Sequence, residues 1–138
     1  MSEFESTLRE LLAAGHAARF RAEGDSMYPV IRSGDYLHVI PCRTPELRKG
    51  NVVLASTGRG LSAHRIVRVS ERDGRIEIVT RGDNALRSDL PLAPDAILGQ
   101  VARVECPANL PNSIRKSATI IRFAAVLVRR LRLSFSAK

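Results

Sequence analysis

Apolar residues recur at helix spacing near the start of the chain and at strand spacing from there to about residue 104. Phe4, Leu8, Leu11 and Leu12 share one face of a segment running from residue 3 to 14, which predicts a helix. Ser2 and Thr7 each precede a glutamate by three residues, the capping-box spacing, and Gly15 supplies a stop. The alternation Ala18-Arg19-Phe20-Arg21-Ala22-Glu23 then predicts a strand running into Gly24. Further strands are predicted at Tyr36–Ile40, at Asn51–Ala55 and at Leu61–Val69, the last after a hairpin loop at Thr57–Gly60. Asp73-Gly74 is a strong hairpin signal, and Arg75–Val79 alternates behind it. A last strand is predicted at Ala96–Val104, after a Pro/Asp-rich connection. Six strands with hairpin turns and little helix between them predict a mainly β, mostly antiparallel domain. Ser113–Phe135 returns to helix spacing, with Arg115, Lys116, Arg122, Arg129 and Arg130 on one face and aliphatic residues on the other. No internal repeat stands out. The expected organisation is an N-terminal helix (1–15), a β domain (16–108) and a basic amphipathic tail (109–138).

Composition sharpens this picture in two places. Aromatics are 4% of a chain that is 44% hydrophobic, so the core is expected to be aliphatic. The formal net charge of +8 is uneven: all 14 acidic residues lie before residue 113. The tail carries seven basic residues and no acid, so the high isoelectric point belongs to an appendage. Such a tail can lie on an anionic membrane surface, apolar side down, or pack on its own domain or a second copy. No helix-turn-helix pattern precedes the β region, and nucleic acid is not the expected partner. No signal peptide and no apolar run of the roughly 18–20 residues needed to span a bilayer is visible. Cytoplasmic or peripheral-membrane placement is therefore expected. Cys42 and Cys106 have neither metal nor disulfide-framework spacing, and no metal or cofactor is expected.

The candidate chemistry begins at Gly24-Asp25-Ser26-Met27-Tyr28-Pro29. A serine at the end of a strand, on a turn that glycine frees, can aim its hydroxyl into a cleft with its own N–H beside it. A serine hydroxyl needs a base, and the base needs an orienting group. Of the three histidines, His16 near a helix end and His38 within a strand read as incidental. His64, in Ala63-His64-Arg65-Ile66-Val67, is the candidate base, since an imidazole titrates close to neutral pH. Asp83 and Asp89 are both candidate orienters, and Gly82-Asp83-Asn84 also has the composition of a tight turn.

Together these boxes resemble a family. Gly24-x-Ser26-Met27-x-Pro29, then Gly34-Asp35, His64-Arg65-Ile66-Val67, and Gly82-Asp83-Asn84 with Asp89 beyond, are similar to the signal peptidase I / LexA-like serine peptidases. Most of that superfamily uses a Ser–Lys dyad. A histidine in this setting resembles instead the endoplasmic-reticulum and archaeal type of signal peptidase, with a Ser–His–Asp site. The resemblance covers roughly residues 18 to 104 and implies a coiled, mostly antiparallel β fold.

It further implies Ser26 as nucleophile, His64 as general base, Asp89 as orienter and Asp83 as the acidic partner in the turn. It places the oxyanion chiefly on the Ser26 N–H in the Gly24 turn, and Met27 and Pro29 among substrate-binding residues. The implied substrate is an extended polypeptide with small residues before the cut, paired to a strand edge. Three departures stand out. Asn51 sits where the family repeats Gly-Asp, Gly24 where some members place a second oxyanion donor, and no spanning helix precedes the serine. Ala14-Gly15 has the chemistry for self-cleavage but lies too close upstream of Ser26 to fold back. The expected function is a serine endopeptidase acting on signal- or leader-like peptides. The alternative is a catalytically weak peptide-binding or membrane-surface module on the same fold.

Overall fold

The computed structural model describes residues 1–107, and the tail helix expected over 113–135 lies outside them. The chain begins with helix α1 (Glu3–Ala13), whose first turn is capped by Ser2: its Oγ accepts from the Glu5 N–H at 3.2 Å. At the other end Gly15 takes a left-handed φ of 87°. That turn lets the Gly15 and His16 N–H groups close back onto the Leu12 and Leu11 carbonyls. Leu8 and Leu12 are buried, at 4% and 3% exposure, while Phe4 and Leu11 of the expected apolar face are largely exposed.

Six strands follow: β1 (Ala18–Arg21), β2 (Tyr36–Ile40), β3 (Val52–Thr57), β4 (Gly60–Arg72), β5 (Arg75–Arg81) and β6 (Ile97–Glu105). They form one sheet in the order β1-β2-β6-β3-β4-β5, with every pairing antiparallel. The mainly β antiparallel expectation is thus met. The β4–β5 hairpin turns at Asp73-Gly74, with φ of 51° and 72°, the positive values a tight two-residue hairpin requires. Residues 1–105 form one compact unit, so α1 belongs to the same body as the sheet.

The apolar core has two parts. Leu8, Leu12, Met27, Ile31, Leu37, Val39, Leu54 and Leu98 form one cluster; Leu47, Val53, Ile66 and Ile78 form the other. Val53 and Leu54 are adjacent on β3, so their side chains point to opposite faces of the sheet. Both are buried, and the central strand is therefore covered on both sides. This explains why residues 52–55 read as a continuous apolar run rather than an alternation.

A local repeat does exist, although it is hard to see in the letters. Arg32-Ser33-Gly34-Asp35 and Arg48-Lys49-Gly50-Asn51 each lead into a strand. In both, a buried Asp or Asn side chain accepts the arginine N–H three residues back, at 2.8 Å. In both, the glycine has positive φ, and its N–H donates to the carbonyl of one distant residue. That residue's N–H donates back to the Asp or Asn backbone carbonyl: Ala22, just past β1, for the first and Ile66, within β4, for the second. Asn51 therefore does the hydrogen-bonding work of the expected Gly-Asp aspartate. An amide oxygen accepts a backbone N–H as a carboxylate does.

Candidate active site

Ser26 is exposed because of what its neighbours bury. The Ile31 N–H donates to the Met27 carbonyl at 3.0 Å, one helical turn, so Met27 and Ile31 point the same way into the core. Ser26, Tyr28 and Pro29 are left facing outward. Gly24 introduces the turn with a φ of 83°. Met27 is only 3% exposed and its Sδ accepts the Asp83 N–H, so it props the serine turn from beneath rather than offering a surface to substrate. Pro29 stays exposed beside the serine.

A second turn, Gly82-Asp83-Asn84, braces the first. The Asn84 N–H donates to the Ser26 carbonyl at 2.9 Å, and the Asn84 Nδ2 to the Asp25 carbonyl at 3.1 Å. Gly82 lies so close that a Cβ there would stand 2.5 Å from the Ser26 carbonyl oxygen. Any larger residue must push the serine aside. Arg65 anchors this turn to β4, its Nε and Nη2 donating to the two Asp83 carboxylate oxygens, both at 2.8 Å. Its Nη1 donates to the Gly50 carbonyl at 2.9 Å. The Asp83 hydrogen bonds, outweighing desolvation, push the Arg65 guanidinium further up. Asp83 is therefore a partner of Arg65, and it is Asp89 that meets His64.

His64 projects from β4 between the two turns. Its Nε2 lies 3.1 Å from Ser26 Oγ and its Nδ1 2.6 Å from Asp89 Oδ2. The imidazole is 14% exposed and the Asp89 side chain 31%. Asp89 is itself held in place: its N–H donates to the Thr80 carbonyl and the Thr80 hydroxyl donates to Oδ2 at 2.7 Å. An Nδ1–H tautomer donating to Asp89 leaves the Nε2 lone pair facing the serine hydroxyl. That arrangement can take a proton from Ser26 Oγ.

Three of these residues, Thr80, Asn84 and Arg65, were not legible as site residues. Asn84 and Arg65 lie inside the motif boxes, but their letters alone assign them no partner. Thr80 gave no signal, being an ordinary β-former on β5. The remaining candidates lie elsewhere. His16 is exposed after the helix, and His38 joins Glu105, Arg19 and Arg103 across β1, β2 and β6. Burial, then the Glu46 charge, push the Cys42 thiol up, which makes it a poor rival nucleophile. Among the described residues no group of three or more His, Cys, Asp and Glu side chains is placed to hold a metal ion.

An open groove of about 880 Å³ is lined up to Glu23 and Ala63, the chain neighbours of the serine turn and of His64, while Ser26, His64 and Asp89 themselves do not line it. One wall is β1 and its continuation through Ala22 and Glu23 toward Gly24; the other is the start of β4, from Gly60 to Ala63, next to His64. Leu37 and Leu54 line it between them, and the first turn of α1 lines its far end.

No curated protein matches this chain. A family model described as Peptidase S24-like matches residues 3–102, a span that includes the serine turn, His64, Asp83 and Asp89. The chain belongs to the Peptidase S24-like family, within the LexA-like superfamily of serine peptidases.

Proposed function

We propose that this protein is a serine endopeptidase that cuts signal- or leader-like peptides after small residues, with Ser26 as nucleophile and His64 as general base. The observation that carries this reading is the hydrogen-bonded chain from Ser26 through His64 to Asp89, at 3.1 and 2.6 Å. In it, Ser26 Oγ attacks the scissile carbonyl as its proton passes to His64 Nε2. The developing oxyanion is met by the Ser26 N–H. The imidazolium, stabilised by Asp89, then protonates the leaving amine, and water repeats the cycle on the acyl-enzyme. The use of histidine rather than lysine aligns this chemistry with the endoplasmic-reticulum and archaeal type of signal peptidase.

The groove suits an extended peptide. β1 is the edge of the sheet, paired only with β2, and β5 covers β4 only from Arg65 onward. Gly60–His64 and β1 therefore both present an unpaired edge to the groove, where a substrate strand can add.

The test is a small-residue peptide library, digested by wild type, Ser26→Ala and His64→Ala. Wild type should cleave, and each variant should lose at least about 10⁴-fold in rate. Equal product from all three would remove the peptidase reading and leave a peptide-binding module.

A further inference from the structure

The first turn of α1 brings a carboxylate into the groove. Glu5 lines it, yet is only 5% exposed, and its Oε1 accepts a hydrogen bond from the Ser56 hydroxyl of β3. It takes part in none of the ion pairs among the described residues. The two arginines that share the groove are directed elsewhere. Arg9 Nη1 donates to the Asp95 carbonyl at 3.3 Å, and the Arg21 guanidinium lies beside Gly34. Burying an unpaired carboxylate is costly, and a cation that reaches it is correspondingly attracted. The N-terminal turn of a helix favours negative charge at this place.

Register sets the distance from the reacting bond. Ser56 pairs with Leu61, and His64 lies three residues further along β4. At roughly 3.3 Å per residue this is about 10 Å, or three residues of an extended substrate. The aliphatic stem of a lysine or arginine suits the Phe4, Phe20 and Leu61 surfaces of the groove, leaving its head to reach the carboxylate.

We propose that Glu5 is a specificity-determining residue, selecting peptides that carry lysine or arginine about three residues from the bond cut. The proposal rests on the groove being the substrate site of the peptidase described above.

Peptides with one lysine scanned through four positions on each side of a small-residue cut, and matched glutamine and glutamate series, provide the test. Binding is measured by fluorescence anisotropy on Ser26→Ala, with and without Glu5→Gln, and cleavage is measured separately on wild type. Glutamine keeps an acceptor for Ser56, and a thermal melt checks that the variant is folded. With Glu5 present, the lysine peptide should bind about tenfold more tightly than its glutamine match near the third position, and the glutamate peptide more weakly. Glu5→Gln should bring these ratios close to one. Equal affinities with Glu5 present, or a lysine preference that survives Glu5→Gln, overturn the proposal even where the peptides are cleaved. A Glu5-dependent preference without cleavage overturns the proposal as a peptidase specificity and removes the peptidase reading, leaving Glu5 as a cation subsite of a peptide-binding groove.

Discussion

At the scale of residues, two aspartates similar in sequence are given different work by their hydrogen bonds. Asp89 receives the imidazole Nδ1–H and the Thr80 hydroxyl, and Asp83 receives a two-pronged guanidinium. Asparagine at 89 would present a neutral amide to Nδ1, which neither stabilises imidazolium nor selects the required tautomer. Asp89→Asn is therefore expected to lower kcat on the order of 10³–10⁴-fold. Asp83→Asn keeps one acceptor for Arg65 and should cost about tenfold, through loosening of the turn behind Ser26. Steady-state kinetics on one peptide decides between them, and equal or reversed losses contradict the assignment. Ser26, His64 and both aspartates could be picked out in the sequence because their motifs have characteristic spacing. Thr80 could not, since its role exists only once β5 and the Asp89 loop are side by side. The roles of Met27 and Asp83 also needed the fold. Nothing in the letters says that Met27 turns inward or that Arg65 reaches Asp83.

At the scale of elements, the strands were legible because alternation and glycine-bearing turns mark them directly. Their order in the sheet was not, since β6 inserts between β2 and β3 and no local signal encodes that pairing. The resemblance placed Asn51 at a repeat of Gly34-Asp35, but that the Arg32–Asp35 and Arg48–Asn51 turns fold alike was not legible for a related reason. They share hydrogen bonds more than they share letters. The β1–β2–β6 end of the sheet carries a charge cluster with a testable pH dependence. Hydrogen bonds from Arg19 first, then His38, hold the Glu105 carboxyl down to about 2, against an ordinary 4.5. A carboxylate whose folded value is depressed stabilises the fold above its unfolded value, and that contribution fades as pH falls through the folded one. Wild type should exceed Glu105→Gln in stability at pH 6, and the gap should close between about pH 4.5 and pH 2. Added salt should narrow the gap at pH 6, because the cluster is exposed. Urea melts across that range check it; a gap independent of pH would show that the cluster contributes nothing through this charge.

At the scale of the molecule, the sheet brings together segments far apart in the chain. β1 delivers the serine turn, β4 the histidine, and the loop after β5 the aspartate, while the first turn of α1 lines the groove between β1 and the start of β4. Among the described residues no helix is long and apolar enough to cross a membrane, and the basic tail with its expected membrane contact lies outside them. The proposed chemistry stands or falls with Ser26 as an activated nucleophile. Mixing the full chain with an activated ester of a small-residue peptide, quenching in acid, and locating the adduct by mass spectrometry puts that to the test. One acyl group is expected, on Ser26, formed in wild type and absent from Ser26→Ala and His64→Ala. An adduct on another residue, or one formed equally well without His64, would contradict it.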